Sequence, residues 1–292
     1  MGTPTHIAFA DESYYTNQRY RSLAVVTFEA NYKSSFTQTF SSLIQESGLR
    51  EFKWNKLRQA RDRLAATKII DEVICLSAKG QLRVDTLIWD TYDTRHKIRG
   101  RDDIANLQRI YYHLFKNILQ RRWPTESTWQ LFPDENSALD WISVQDYLDL
   151  AGLSLKTTDL FGQNTFGPRL SQDFKILEIH AVSSTAEAIC RIADLFAGVG
   201  AFSHSEHIKY KNWLQKKNGQ LSMKFDSDIN CELSNSQEER FEIIRYLDES
   251  CKQHKYHVGL NSINGFKSYD PNYPVNFWVY VPQSLQDNLT LE

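Results

Sequence analysis

The chain has 292 residues, is 41% hydrophobic and 24% charged, and carries 34 basic and 36 acidic side chains for a formal net charge of -2. That length suits one large domain, or a domain with a sizeable extension. The near-neutral balance excludes a protein that coats nucleic acid through bulk charge, so any polyanion must be held by local patches or metal ions. Four cysteines (Cys75, Cys190, Cys231 and Cys251) lie far apart with no CxxC pair, the pattern of free thiols in a reducing compartment. No basic segment leading into an apolar core opens the chain, and no apolar run nears the roughly 20 residues of a membrane span. A cytoplasmic location with no membrane partner is expected.

In chain order, "HIAFAD" and "YRSLAVVTFEA" read as strands joined by the short polar "ESYYTNQ", which predicts a hairpin. Phe36, Phe40, Leu43 and Ile44 recur at helical spacing, with Gly48 as the stop. "WNKLRQARDRLAATKIIDEVICLSAKG" predicts a longer helix from Trp54 to Gly80, and "QLRVDTLIWD" returns to strand. "DDIANLQRIYYHLFKNILQRR" is an amphipathic helix opened by an acidic pair that suits a positive helix N-terminus. "STWQLFPDE" is strand then loop, "SALDWISVQDYLDLAG" helix, "KILEIHAVSS" strand, and "STAEAICRIADLFAGVGAFSH" helix. This order predicts an α/β fold, a mixed sheet flanked by helices. After about residue 207 the texture changes: a basic stretch, a helix in "SNSQEERFEIIRYLDESCKQ", then loop and strand in "GFKSYDPNYPVNFWVYVP". The expected division is a domain over 1–207 and an α+β extension over 208–292.

Acids stand at the ends of these elements. Asp11 and Glu12 close the first strand, Glu51 opens "EFKW", Asp134 and Glu135 follow "WQLF", and Asp194 interrupts the apolar helix "ICRIADLFAGVG". Taken singly, each has an ordinary explanation: a turn signal for the two pairs, a helix cap for Glu51. Asp194 is harder to dismiss. Its neighbours at one-turn spacing are Cys190, Ala197 and Gly198, with Ala201 a further turn on. An acid on such a small-residue face is costly to bury unpaired. The face admits a close backbone or ligand. An arginine partner across a packed interface and a shared metal site are the two readings.

Together, Asp11-Glu12-Ser13, Glu51-Phe52-Lys53, Asp134-Glu135 and Ala193-Asp194-Leu195-Phe196-Ala197-Gly198 resemble, in that order, the motifs of the DUF3800 family. The resemblance covers roughly residues 5 to 205. Tyr14 stands where Gly is common, Ser183-Ser184 where Ser-Lys is, and Arg191-Ile192 where Gln-Leu is. The resemblance implies a ribonuclease H-like fold with the acids gathered at one edge of the sheet, and a metal-dependent nuclease acting on DNA or RNA.

Phosphodiester cleavage by this route needs several acids converging on divalent ions, which neutralise the phosphate and activate water. Mg²⁺ or Mn²⁺ accepts such oxygen ligands. The expected metal ligands are Asp11, Glu51, Asp134 and Asp194, with Glu12 and Glu135 of second rank and Asp11 best placed to bridge two ions. Lys53, on the same face as Glu51 if "EFK" is extended, would contact the phosphate or balance the acids. Ser13 and Ser183 would orient ligands. Basic clusters (Lys53 to Arg63, Arg95 to Arg101, Lys209 to Lys217) and the indoles of Trp54 and Trp213 offer a groove for nucleic acid, although charge runs are more often solvated faces. His204 and His207, with Cys251, His254 and His257, lack the partners of a zinc site; His204 would instead assist proton transfer near the metals. The Glu-x-Lys and Pro-Asp elements occur in the reverse of the PD-(D/E)xK order, which disfavours that fold. The alternative to an enzyme is a nucleic-acid-binding or protein-interaction module that keeps its acids for structure.

Overall fold

The computed structural model describes residues 2–13, 19–93, 102–156, 169–183, 187–218, 233–262 and 264–281. Its centre is a six-stranded sheet. Strand β1 (His6–Ser13) lies between β2 (Tyr20–Glu29), its antiparallel hairpin partner, and β4 (Ser127–Pro133), to which it is parallel. Beyond β2 come β3 (Leu82–Asp90), antiparallel to it, and β10 (Val275–Val279), parallel to β3. Beyond β4 lies the parallel β7 (Phe174–Ile179). The order is therefore β10-β3-β2-β1-β4-β7, with β2 alone running against the rest. The expected mixed α/β sheet flanked by helices is what forms.

Alternation along β1 makes both faces apolar. Ile7 and Phe9 enter one core, and Ala8 and Ala10 the other. Helices α1 (Lys33–Glu46), α2 (Ala60–Ala78) and α5 (Cys190–Ser205) cover the first face, and α3 (Asp103–Arg121) and α4 (Trp141–Ala151) the second. Helix α5 lies flat on β1, β2 and β3 because its contact face is nearly side-chain-free. A Cβ on Gly200 would stand 2.9 Å from Thr86 Cγ2, and Ser22 Oγ donates to Ala197 O.

The segment after 207 is not set apart. Helix α7 (Asn235–Gln253) packs on α2, and its Phe241, Ile244 and Leu247 belong to the same core as Ile7 and Phe9. Strand β10 is an edge strand of the central sheet, held by a buried network. Arg83 binds Asp85 at 2.7 and 3.1 Å and also donates to Pro271 O, while Asn276 Nδ2 donates to Asp85 Oδ1. A boundary at 207 would cut through one hydrophobic core. The remaining elements are α6 (His207–Lys217), a small hairpin of β5 (Leu153–Lys156) and β6 (Arg169–Gln172), and another of β8 (Val258–Ser262) and β9 (Gly265–Ser268). Among the described residues no helix is long and apolar enough to cross a membrane.

Candidate active site

The chain reverses direction at the carboxyl ends of β1 and β4, and there the acids meet. The Asp134 N–H donates to Ala10 O at 2.7 Å, which sets Asp134 beside Asp11. The Val182 N–H continues the ladder by donating to Pro133 O at 2.9 Å. Helix α5 crosses above them and brings Asp194 down from the first face. The resulting pocket, about 160 Å³, is lined by Asp11, Glu12, Asp134 and Asp194 together with Ser13, Lys53, Asn55 and Arg191.

Asp11 is the most strained of these groups electrostatically. It is 7% exposed. No described residue donates a hydrogen bond to it; the forces on it are burial and charge. Burial comes first, then Asp194, Asp134 and Glu12, and together they hold its carboxyl well above the usual range, with Lys53 opposing. Asp194 has a partner. The Trp54 N–H donates to its Oδ2 at 2.6 Å. Burial pushes Asp194 up to about 6, against the pull of that bond and of Lys53. This partner is a backbone amide, and it engages one of the two carboxylate oxygens. The small face of α5 receives Trp54 itself: a Cβ on Gly198 would come within 2.1 Å of Trp54 Cγ.

Glu12 points to the other face. Tyr111 Oη donates to its Oε2 and Asn136 Nδ2 to its Oε1 at 3.0 Å. Burial still leaves its carboxyl raised. Both oxygens are therefore engaged. Glu51 does not line the pocket. It stands at the rim, 3.4 Å from Lys53 Nζ and 3.3 Å from Lys56 Nζ, and its charge is felt by both Asp194 and Arg191. Glu135 is exposed and also outside the pocket, its N–H spent on Val182 O.

Other expectations change. Trp54 is 1% exposed and belongs to the core, so it offers no face to a base. Trp213 is half-buried against Tyr210 and Phe241. Much of the basic charge is neutralised locally: Arg63 by Glu239, Lys209 by Glu206, Lys217 by Glu242. Arg95 to Arg101 lie outside the described residues, as does Ser184. His204 is at the far end of α5, its Nε2 at 3.0 Å from Phe266 O, and burial lowers it to about 4; it takes no part in the pocket. Arg191 and Asn55 are pocket residues that sequence reasoning missed. The signal for Arg191 was a charge one turn before Asp194 in an otherwise apolar helix. It is 9% exposed, and burial depresses its guanidinium.

The donor set is all oxygen among the acids, with neither thiolate nor imidazole lining the pocket. Among the described residues no three His, Cys, Asp or Glu side chains close into a metal cage. A hard ion that keeps most of its water needs only one or two carboxylates. The Asp11 carboxylate, to which no described residue donates, lies on the same pocket as Asp134 and Asp194, an oxygen-donor set that Mg²⁺ or Mn²⁺ would accept.

Fold and site together define a mixed α/β protein with an acid-lined pocket at the carboxyl ends of its central strands. No family model matches the chain. It is 38% identical over 287 residues to the uncharacterized protein ORF2' of Methanothermobacter thermautotrophicus, covering 96% of this chain and 95% of that one. It is 36% identical, with the same coverage, to the uncharacterized protein ORF2 of the same organism. The chain belongs to the family of these ORF2 proteins.

Proposed function

We propose that the chain is a divalent-metal-dependent nuclease or phosphodiesterase acting in the cytoplasm on nucleic acid, as its resemblance to the DUF3800 family and to ribonuclease H-like proteins implies. The observation that carries this is Asp11: a buried carboxylate with no hydrogen-bond donor among the described residues, placed among three further acids. Burying such a charge is costly unless something positive joins it. Asp11, Asp134 and Asp194 would hold the ions, and Glu12 would stay with Tyr111. Bound Mg²⁺ or Mn²⁺ supplies charge neutralisation at the phosphate and an acidified water. Lys53 and Arg191 place two cationic groups on the same pocket, where they bind and orient the phosphate oxygens. Asn55 and Ser13 add neutral polar groups for the sugar-phosphate or for water.

The test is cleavage of single-stranded and duplex DNA and RNA oligonucleotides with Mn²⁺ or Mg²⁺. Activity abolished by EDTA and by Asp11→Asn or Asp194→Asn, with both variants folded, is the expected result. Full activity in those variants or in EDTA would exclude it. The second reading, a binding module with structural acids, draws on one observation: Asp194 already serves the fold through Trp54. It requires binding without turnover, no stabilisation by Mn²⁺, and unfolding of the Asn variants.

A further inference from the structure

The segment 51–58 delivers Lys53, Trp54 and Asn55 to the pocket with little structure of its own. It is a single 3-10 turn at Trp54–Lys56. Its local bonds are Lys56 N–H to Lys53 O and Leu57 N–H to Trp54 O, at 3.1 and 3.2 Å. Further support comes from Asp194 of α5, which accepts from the Trp54 N–H, from Asp62 of α2, which accepts from the Arg58 N–H at 2.9 Å, and from α7, nearly 190 residues further along the chain.

Arg240 Nη2 donates to Trp54 O at 3.0 Å and to Asn55 O at 3.3 Å. Its guanidinium carbon stands 5.2 Å from the centre of the Trp54 ring and 5.4 Å from that of Phe202. Ser236 Oγ, one turn earlier, donates to Leu57 O at 2.6 Å. Trp54 is therefore held at both ends of its backbone. Its carbonyl is fixed by Arg240, and its N–H donates to Asp194 Oδ2. That N–H occupies one oxygen of Asp194. No described residue donates to the other.

We propose that Arg240 is a positioning residue for the acid pocket. By fixing the Trp54 peptide it sets which oxygen of Asp194 is committed to the protein and which is left for the pocket, so α7 is part of the functional site. The proposal rests on the reading of the pocket as catalytic only for its effect on turnover; the geometric claim stands apart from it. Simple stapling of the fold is a weaker account. Helix α7 is already anchored by Phe241, Ile243, Ile244, Leu247 and Cys251, all buried, whereas Arg240 is only half-buried.

The experiment compares wild type with Arg240→Met and Arg240→Lys in the full chain. Three quantities are read: melting temperature, the NMR shift and exchange protection of the Trp54 amide, and Mn²⁺-dependent oligonucleotide cleavage. The expected result for Arg240→Met is a melting temperature within a few degrees of wild type, an upfield-shifted Trp54 amide that exchanges about tenfold faster, and kcat about tenfold lower at unchanged KM, as loss of the charge-assisted hydrogen bonds from Nη2 to Trp54 O and Asn55 O predicts. Arg240→Lys, which keeps a cationic donor, recovers part of each. An unmoved Trp54 amide in Arg240→Met overturns the proposal, whatever happens to activity. If wild type does not cleave but the amide moves, positioning stands and the nuclease reading falls. Should Arg240→Met fail to fold, Arg240→Gln is read by the same criteria.

Discussion

Asp11 and Glu12 are consecutive residues of β1 and serve opposite faces of the sheet. Asp11 continues the row of Ile7 and Phe9 toward α5 and feels the charge of Asp194; Glu12 continues the row of Ala8 and Ala10 toward α3 and accepts from Tyr111. The two-residue period of a strand divides a pair of neighbouring acids into one with no donor among the described residues and one with two.

This division predicts different outcomes for the two isosteric substitutions. Asp11→Asn removes a buried charge to which no described residue donates, so stability is kept or raised while metal-dependent cleavage is lost by about a thousandfold or more. Glu12→Gln turns an amide toward one of two donors and costs about 1–3 kcal/mol, with cleavage reduced far less. Urea denaturation and cleavage rates on the same two proteins check both halves. Equal loss of activity in both would remove the distinction between the faces.

Asp194 predicts how stability depends on pH. Its folded value is about 6 against 3.8 for a free carboxyl. Below 3.8 both states are protonated and the fold keeps its full stability. Between 3.8 and about 6 the unfolded chain releases its proton first, so stability falls as pH rises through that window. The loss contributed by this group reaches on the order of 3 kcal/mol by pH 7, and Asp11, also raised, acts in the same direction. Asp194→Asn should therefore be more stable than wild type at pH 7 in EDTA, with the difference shrinking toward zero near pH 4. Excess Mn²⁺ should narrow the pH 7 difference by stabilising wild type alone. Thermal denaturation at the two pH values measures this, and a difference that does not change with pH would contradict it.

Gly198 predicts how tightly the site is packed. A Cβ there meets Trp54 Cγ at 2.1 Å and Cδ1 at 2.3 Å, and Trp54 is enclosed by core on its other sides. Neither the ring nor α5 has room to yield, so Gly198→Ala must displace the 54–56 turn and with it the bond to Asp194. The expected cost is about 2–4 kcal/mol, above the usual range for one added methyl group. Cleavage should be lost beyond what the stability change explains when assayed well below the melting temperature. A neutral Gly198→Ala in urea denaturation would show that Trp54 is not fixed as described.

The elements legible in the sequence are those whose own pattern decides them. Strand β1 is a short apolar run, α3 a strongly amphipathic one, and α7 opens on a capping box at Ser234 and Gln237. What escapes is decided by distant partners. The helix expected from Trp54 begins only at Ala60, where Gln59 and Asp62 form its capping box, because Trp54 and Leu57 are bound instead by Asp194, Arg240 and Ser236. Strands β5 and β6 are four residues each, too short to show alternation, and pair only with each other. Asp11, Asp134 and Asp194 line one pocket, and strand ends and an isolated acid in an apolar helix are signals visible in the sequence. Glu51 is outside it, and its lysine partners are set by a turn that the sequence pattern reads as helix.

The attachment of β10 gives the last prediction. Asp85 is fully buried on β3 and binds Arg83, itself 7% exposed, through two hydrogen bonds, while Asn276 of β10 donates to the same carboxylate. Arg83 in turn donates to the carbonyls of Pro271 and Asn272, which lead into β10. Asp85→Ala would leave a guanidinium buried without its anion and should cost about 3–5 kcal/mol, whereas replacing both partners, as in Asp85→Ala with Arg83→Met, should recover much of that loss. If β10 were a detachable extension, the single variant would release it and leave the melting of the remainder unchanged. Because β10 shares the sheet with β1 and the core with α5, we expect instead one cooperative transition at lower urea concentration, with the acid pocket lost in the same step. Urea titrations followed by far-ultraviolet circular dichroism and by tryptophan fluorescence, which senses Trp54 and Trp278, should give coincident curves; two separate transitions would show that the C-terminal segment folds independently of the site.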